Sequence, residues 1–148
     1  MKEHLFSSEL WLARSPADIF PFFADAKNLG TITPPWLHFE ILTPGHIEMG
    51  VGTLIDYRIS LHGIPLRWRT RITAWEPPLR FVDEQIKGPY RRWIHEHRFV
   101  ESGSGTLCYD RVHYAILGGR IVQQLFVEPD VKRIFAFRAA KLTELFGT

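Results

Sequence analysis

The stretch GPYRRWIHEHRF, Gly88 to Phe99, decides the fold. Gly88-Pro89 is turn chemistry, and the residues after it alternate. Glu96 and Arg98 belong in water, so Trp93, His95, His97 and Phe99 share the opposite face. A strand of this kind fits an antiparallel sheet covered on one side only. Its covered face carries two imidazoles, which a solid apolar core does not collect unless they have partners.

The flanking runs extend the same pattern. Ser102-Gly103-Ser104-Gly105 is a turn signal, and beyond it Cys108, Val112, Tyr114 and Ile116 share a face with Asp110. A turn at Ser102–Gly105 places Phe99 opposite Cys108 and His97 opposite Asp110. A turn over Gly88–Arg92 places Lys87 opposite Trp93, Gln85 opposite His95 and Asp83 opposite His97. Asp83, His97 and Asp110 then form one row, about 5 Å from strand to strand, with Gln85 and His95 one row along. Further upstream, Ile55, Tyr57, Ile59 and Leu61 face in from residues 52–62. Leu66, Trp68, Thr70, Ile72 and Ala74 do so from residues 66–76, leaving Arg67, Arg69 and Arg71 outside. The run 80–87 mixes apolar and polar residues on both faces.

The two ends of the chain complete the layout. Residues 4–13 read as a strand with Phe6, Ser8, Leu10 and Leu12 on one face. Ser15-Pro16-Ala17-Asp18 opens a helix: serine caps, proline suits the first turn, and aspartate favours the positive end. A second short helix is expected near Asp25–Leu29, stopped by Thr33-Pro34-Pro35. A strand is expected over 37–43. After Gly118-Gly119 the period turns helical, with Pro129 starting or kinking a long helix. Val131, Ile134, Phe135, Leu142, Leu145 and Phe146 fall on its apolar stripe, and Arg138 lies on the same stripe at i+4 from Ile134. The predicted order is one strand, two short helices, six strands and a long helix.

Bulk properties narrow the class. The chain has 148 residues, 45% hydrophobic and 23% charged, which suits a single domain over 1–148. Its net charge of +2 is too small to argue for a nucleic-acid partner. One cysteine, Cys108, permits no intrachain disulfide and fits a reducing compartment. MKEHLFSSELWLARSP lacks the apolar core of a signal peptide, and no apolar run approaches a membrane span. The expectation is a cytoplasmic protein without stable membrane insertion, a monomer or homodimer.

The layout carries a family resemblance. The runs involved are Asn28-Leu29 with Thr33-Pro34-Pro35-Trp36, Gly52-Thr53, Gly88-Pro89-Tyr90-Arg91-Arg92-Trp93 with His95 and His97, Asp110-Arg111-Val112-His113-Tyr114, and Phe126-Val127-Glu128-Pro129 with Arg133-Ile134-Phe135-Ala136-Phe137-Arg138. Over nearly the whole chain they resemble the ligand-binding subfamily of the START/Bet v 1-like (SRPBCC) superfamily. The resemblance implies an α+β helix-grip fold: a curved seven-stranded antiparallel sheet wrapped around a long C-terminal helix, with a cavity for hydrophobic small molecules between them. Relatives include lipid carriers, plant hormone receptors, aromatic polyketide cyclases and ubiquinone-binding proteins.

Four uses of the inner face compete. Two histidines at i, i+2 on a strand lie about 6.5–7 Å apart and can join Asp110 or Asp83 at a metal. The segment is not HExxH, however, and no metal or cofactor is expected. A histidine between carboxylates can serve as general base in a cyclase or dehydratase, with His97, Asp110 and Asp83 as the acid/base set and Tyr57 or Tyr114 polarising a carbonyl. A third reading is a collapsed core with a satisfied polar network. The leading one is a carrier, sensor or sequestering protein for a lipid, polyketide or isoprenoid-like molecule. There Tyr57, Trp68, Trp93, Phe99 and Tyr114 form the apolar wall. Asp83, Gln85, His95, His97 and Asp110 orient one polar group of the ligand, and Arg138 joins the ligand-binding set by reaching the sheet's carboxylates, or else snorkels to solvent. The outer arginine row reads as a solvated strand face.

Overall fold

The chain lays its first strand at one edge of a sheet and its second at the other, then folds back strand by strand until the seventh meets the first. The computed structural model describes residues 2–147. β1 (His4–Leu12) is followed by α1 (Pro16–Phe23) and two single 3₁₀ turns, Ala26–Leu29 and Pro35–Leu37. Then come β2 (Glu40–Ile41), β3 (Leu54–Leu61), β4 (Ile64–Glu76), β5 (Arg80–Lys87), β6 (Arg92–Ser102) and β7 (Gly105–Ala115). The sheet order is β1-β7-β6-β5-β4-β3-β2, and every pairing is antiparallel. The chain ends in α2 (Gly119–Val122), a π-turn (Gln123–Val127) and α3 (Glu128–Phe146), which crosses the concave face. This is the helix-grip architecture. Among the described residues no helix is long and apolar enough to cross a membrane.

Local chemistry accounts for most boundaries. The Ser15 hydroxyl accepts the Asp18 N–H at 3.2 Å and caps α1, with Pro16 in the first turn. His62-Gly63 turns β3 into β4 with φ of 50° and 81°, the paired left-handed geometry of a tight hairpin. The same hairpin tip is tied to α3, where a His62 ring nitrogen meets Asp130 at 2.7 Å. Gly103 (φ 60°) opens the two-residue turn that pairs Ser102 with Gly105. Along α3 the buried residues are Val131, Phe135, Arg138 and Leu142, one stripe at helical spacing.

Four expectations need correction. The strand foreseen over 37–43 shrinks to Glu40–Ile41, because Pro35-Trp36-Leu37 closes a 3₁₀ turn instead. Leu145 is exposed, because the last turn of α3 turns Leu142 and Phe146 to the packed cluster and leaves Leu145 beside that stripe. A bulge between Ile72 and Ala74 hands the inward position to Trp75, which packs on Phe20 and Phe81. The β5–β6 register also slips by two residues. Asp83 pairs with His95 and Phe81 with His97, so Asp83 is not opposite His97, nor Gln85 opposite His95. The cause is Gln85 itself. Its amide donates to Tyr90 O at 2.7 Å and accepts Tyr90 N–H at 3.0 Å, lengthening the turn. Gly88 leaves room for this, since a Cβ there would sit 2.5 Å from Gln85 Oε1. A two-residue slip keeps every side chain on its face, so the inner set is unchanged. The β6–β7 register is as read: Phe99 opposite Cys108 and His97 opposite Asp110.

Candidate functional site

Because β6 alternates, it delivers Trp93, His95 and His97 to the concave face beneath α3, and the three lie along one wall. The rings stack in series. Phe81 lies on His97 with centroids 3.9 Å apart and planes within 10°, and His97 lies on His95 at 3.6 Å. The carboxylates bind diagonally. His97 Nε2 meets Asp83 Oδ2 at 2.6 Å, and His95 Nε2 meets Asp110 Oδ1 at 2.7 Å. From α3, Arg138 Nη2 donates to His97 Nδ1 at 3.1 Å and comes within 3.5 Å of Asp110 Oδ1. Its guanidinium rests over the rings of Phe23 and Phe135. His95, His97 and Arg138 are 5%, 4% and 7% exposed, so the network is interior.

The bonds fix protons. A guanidinium only donates, so His97 Nδ1 accepts and Nε2 carries the hydrogen that goes to Asp83. His97 is therefore neutral. Burial, reinforced by the neighbouring charges of His95 and Arg138, holds it well below the usual histidine range. Burial works to raise Asp110, but Arg138 and the two histidines outweigh it and hold that carboxyl well below the usual range. Asp83 goes the other way, pushed up chiefly by burial. Two carboxyls thus share one guanidinium and two imidazoles in this box.

Asp83, His95 and His97 offer ligand atoms within 4.8 Å of one another, close enough for a metal ion. The donor set fits a cation poorly. His97 Nε2 holds a proton while Arg138 occupies Nδ1, and the guanidinium adds a positive charge to the site.

Between sheet and helix lies a cavity of about 170 Å³. Tyr57, Trp68, Asp83, Trp93, His95, His97 and Arg138 line it. The other four candidates lie elsewhere. Phe99 is inside the cluster under α1, and Tyr114 packs with Val112, Val131 and Phe135. Asp110 stands behind His95, and Gln85 shapes the β5–β6 turn. Sequence reasoning missed Phe81, the ring under His97, because its strand showed no clean alternation. It also passed over Thr70, whose Oγ1 accepts the Trp68 indole N–H at 3.0 Å and lies 3.5 Å from the Tyr57 hydroxyl. That hydroxyl stays protonated, since burial raises its pKa far above the usual phenol value. Phe23, Ile134 and Phe135 complete the wall from the helices. Burial also pushes the Cys108 thiol up to about 12, which leaves it unreactive at neutral pH.

A family model described as polyketide cyclase/dehydrase and lipid transport matches residues 12–136. Solved structures share the fold over almost the whole chain. Protein CV1439 from Chromobacterium violaceum is 14% identical with a TM-score of 0.74, covering 98% of this chain and 99% of that one. The Zhui aromatase/cyclase from Streptomyces sp. R1128 is 16% identical with a TM-score of 0.73, covering 95% and 92%. Ginseng major latex-like protein 151 from Panax ginseng is 10% identical with a TM-score of 0.72, covering 97% of each chain. No curated protein matches the chain.

Proposed function

Because the chain belongs to the polyketide cyclase/dehydrase and lipid transport family, we propose that its cavity holds a hydrophobic or aromatic small molecule which the protein carries, senses or sequesters. Tyr57, Trp68 and Trp93 supply apolar wall, and the Asp83–His97–Arg138 edge orients one polar group of the guest. The observation that carries this reading is the occupancy of His97. Both ring nitrogens are already bonded, one to Asp83 and one to Arg138, so the most buried histidine serves as a fixed wall. Phe99, Tyr114, Asp110 and Gln85 support the site by holding its strands and imidazoles in place. Native mass spectrometry of freshly purified protein, followed by solvent extraction, tests it. An unchanged organic molecule bound one to one is the expected result, and loading that no hydrophobic compound achieves overturns it.

A second reading, cyclase or dehydratase chemistry, has one nitrogen in its favour. With Nε2 committed to Asp110, His95 keeps Nδ1 beside the cavity, 3.9 Å from Asp83 Oδ2 and beyond hydrogen-bond reach. That lone pair can take a proton from a guest, with Asp110 steadying the imidazolium. Turnover separates the readings. An enzyme with His95→Ala or His97→Ala loses rate while keeping affinity, whereas a carrier shows no product with either.

A further inference from the structure

The outer side of the helical region after β7 is apolar. The backbone is helical without a break from Gly119 to Phe146. Its inward side is anchored at Gln123, which is buried and donates to the Tyr114 hydroxyl at 2.8 Å. Ile121 and Leu125 lie four residues apart on the outward side, with Phe126 beside Leu125 and Leu117 four residues before Ile121. The β3–β4 tip joins them: the His62 ring packs edge-on to Phe126 at 6.3 Å, and Ile64 follows two residues later. These five large apolar side chains are 53–70% exposed. Scattered exposed apolar residues need no explanation, but a group of five points to a contact surface.

The free charge beside this stripe has one sign. Lys132 pairs with Glu128 at 3.0 Å and Arg133 with Asp130 at 2.7 Å, which uses the carboxylates at the start of α3. Arg120 lies within the stripe. Arg91 donates its backbone N–H to Ala115 O at 2.9 Å, two residues short of Leu117. Both arginines are exposed and meet no carboxylate among the described residues. A twofold contact with a second copy would set these arginines against one another with no free acid between them. The apolar side chains also stand out from the fold, instead of forming the pocket that a folded partner's anchor fills. Protruding apolar groups flanked by free arginines suit an anionic bilayer, where the apolar groups enter the headgroup boundary and the guanidiniums meet phosphate.

We propose that this surface docks the protein reversibly on an anionic lipid membrane, with Leu117, Ile121, Leu125, Phe126 and Ile64 in the headgroup boundary. The surface stands apart from the cavity, whose guest is tested in solution, so either reading can fail alone. The probes are phosphatidylcholine vesicles with and without about one third phosphatidylglycerol, floated with the intact protein at low salt. Anionic vesicles are expected to bind it at least about tenfold more tightly, since each arginine near such a surface contributes about fivefold. Salt at about 0.5 M should remove most of that preference. Ile121→Ser with Leu125→Ser should weaken binding at least about tenfold. Arg91→Gln with Arg120→Gln should remove most of the preference for anionic vesicles. Absence of flotation with both kinds of vesicle overturns the proposal, and so does equal binding to both. These two outcomes use the unaltered protein, so they decide the matter even if a variant does not fold. Binding that the arginine pair weakens and the serine pair does not is charge adsorption alone, and it overturns docking. Sedimentation equilibrium tests the remaining occupant. A dimer that the serine pair turns into a monomer assigns the stripe to a second copy and overturns the proposal.

Discussion

β6 is solid at one end and hollow at the other. Around Phe99 the concave face is filled: Leu12, Ile19, Phe20 and Leu142 close over it, with Phe20 and Phe99 edge to face at 5.6 Å. Four residues earlier the same face carries His95, and the space above it is empty enough for a ring. The difference lies in what covers the strand. α1 lies directly on the Phe99 end, whereas α3 reaches the middle through Ile134, Phe135 and Arg138, which border a cavity. Packing stabilises the first region and polar bonding organises the second, so the two should respond differently to the same kind of change.

The widest gap is expected from truncation. Phe99→Ala should cost roughly 3–5 kcal/mol, because it opens a void in a filled cluster. Ile134→Ala should cost only about 2 kcal/mol, the low end for such a change, because that side chain already faces empty space. Urea unfolding of both variants measures the pair, and equal losses would mean the middle is packed as tightly as the end. Enlargement should show the reverse. Leu12→Phe should cost about 1–3 kcal/mol, whereas Ile55→Phe, on the cavity wall, should cost under about 1 kcal/mol and abolish guest binding.

Acid should act on the hollow region. His97 is held neutral when folded, while in the unfolded chain it takes up a proton near pH 6.5. Below that pH the unfolded state therefore binds more protons at this group, so the His97 contribution to stability falls as pH drops through about 6.5 and is level above it, while the raised Asp83 carboxyl works the other way as it takes up its proton in the folded state. Asp110, with its lowered pKa, adds a second loss below about pH 4, where the unfolded carboxyl protonates and the folded one does not. Unfolding free energies measured between pH 4.5 and 8 should lose much of their slope in His97→Gln, while Phe99→Ala keeps it. A smaller effect is expected at Thr70→Val. Removing the acceptor of the buried Trp68 N–H should cost about 1–3 kcal/mol, read in the same unfolding assay. Smallest of all, Ser15→Ala removes the cap of α1 for about 1 kcal/mol, and it bears on the packed end alone.

How far each region could be read in the sequence follows from the same physics. Strict alternation of apolar and charged residues placed His95 and His97 inside, and the Ser102–Gly105 turn set β7 against β6 residue by residue. These signals are local, and the family resemblance carried the rest of the architecture. The β5–β6 register was not legible, because it depends on one Gln85 side chain folding back onto Tyr90, a contact that periodicity does not encode. The diagonal pairing of Asp83 with His97 and Asp110 with His95 likewise depends on side-chain reach across the face. Trp75 escaped because a bulge, invisible in composition, changed its side. Arg138 was placed on the inward stripe of the long helix, but its bond to His97 could appear only once the packing of α3 on the sheet was known.

The void between β6 and α3 is best tested by crystallography under xenon pressure. Ordered xenon between Trp68, Ile134 and His97 is the expected result, with the filled cluster around Phe99 staying dry and gas-free. An interior closed by the rings of Tyr57, Trp68 and Trp93 lying against α3, with no xenon bound, would contradict it.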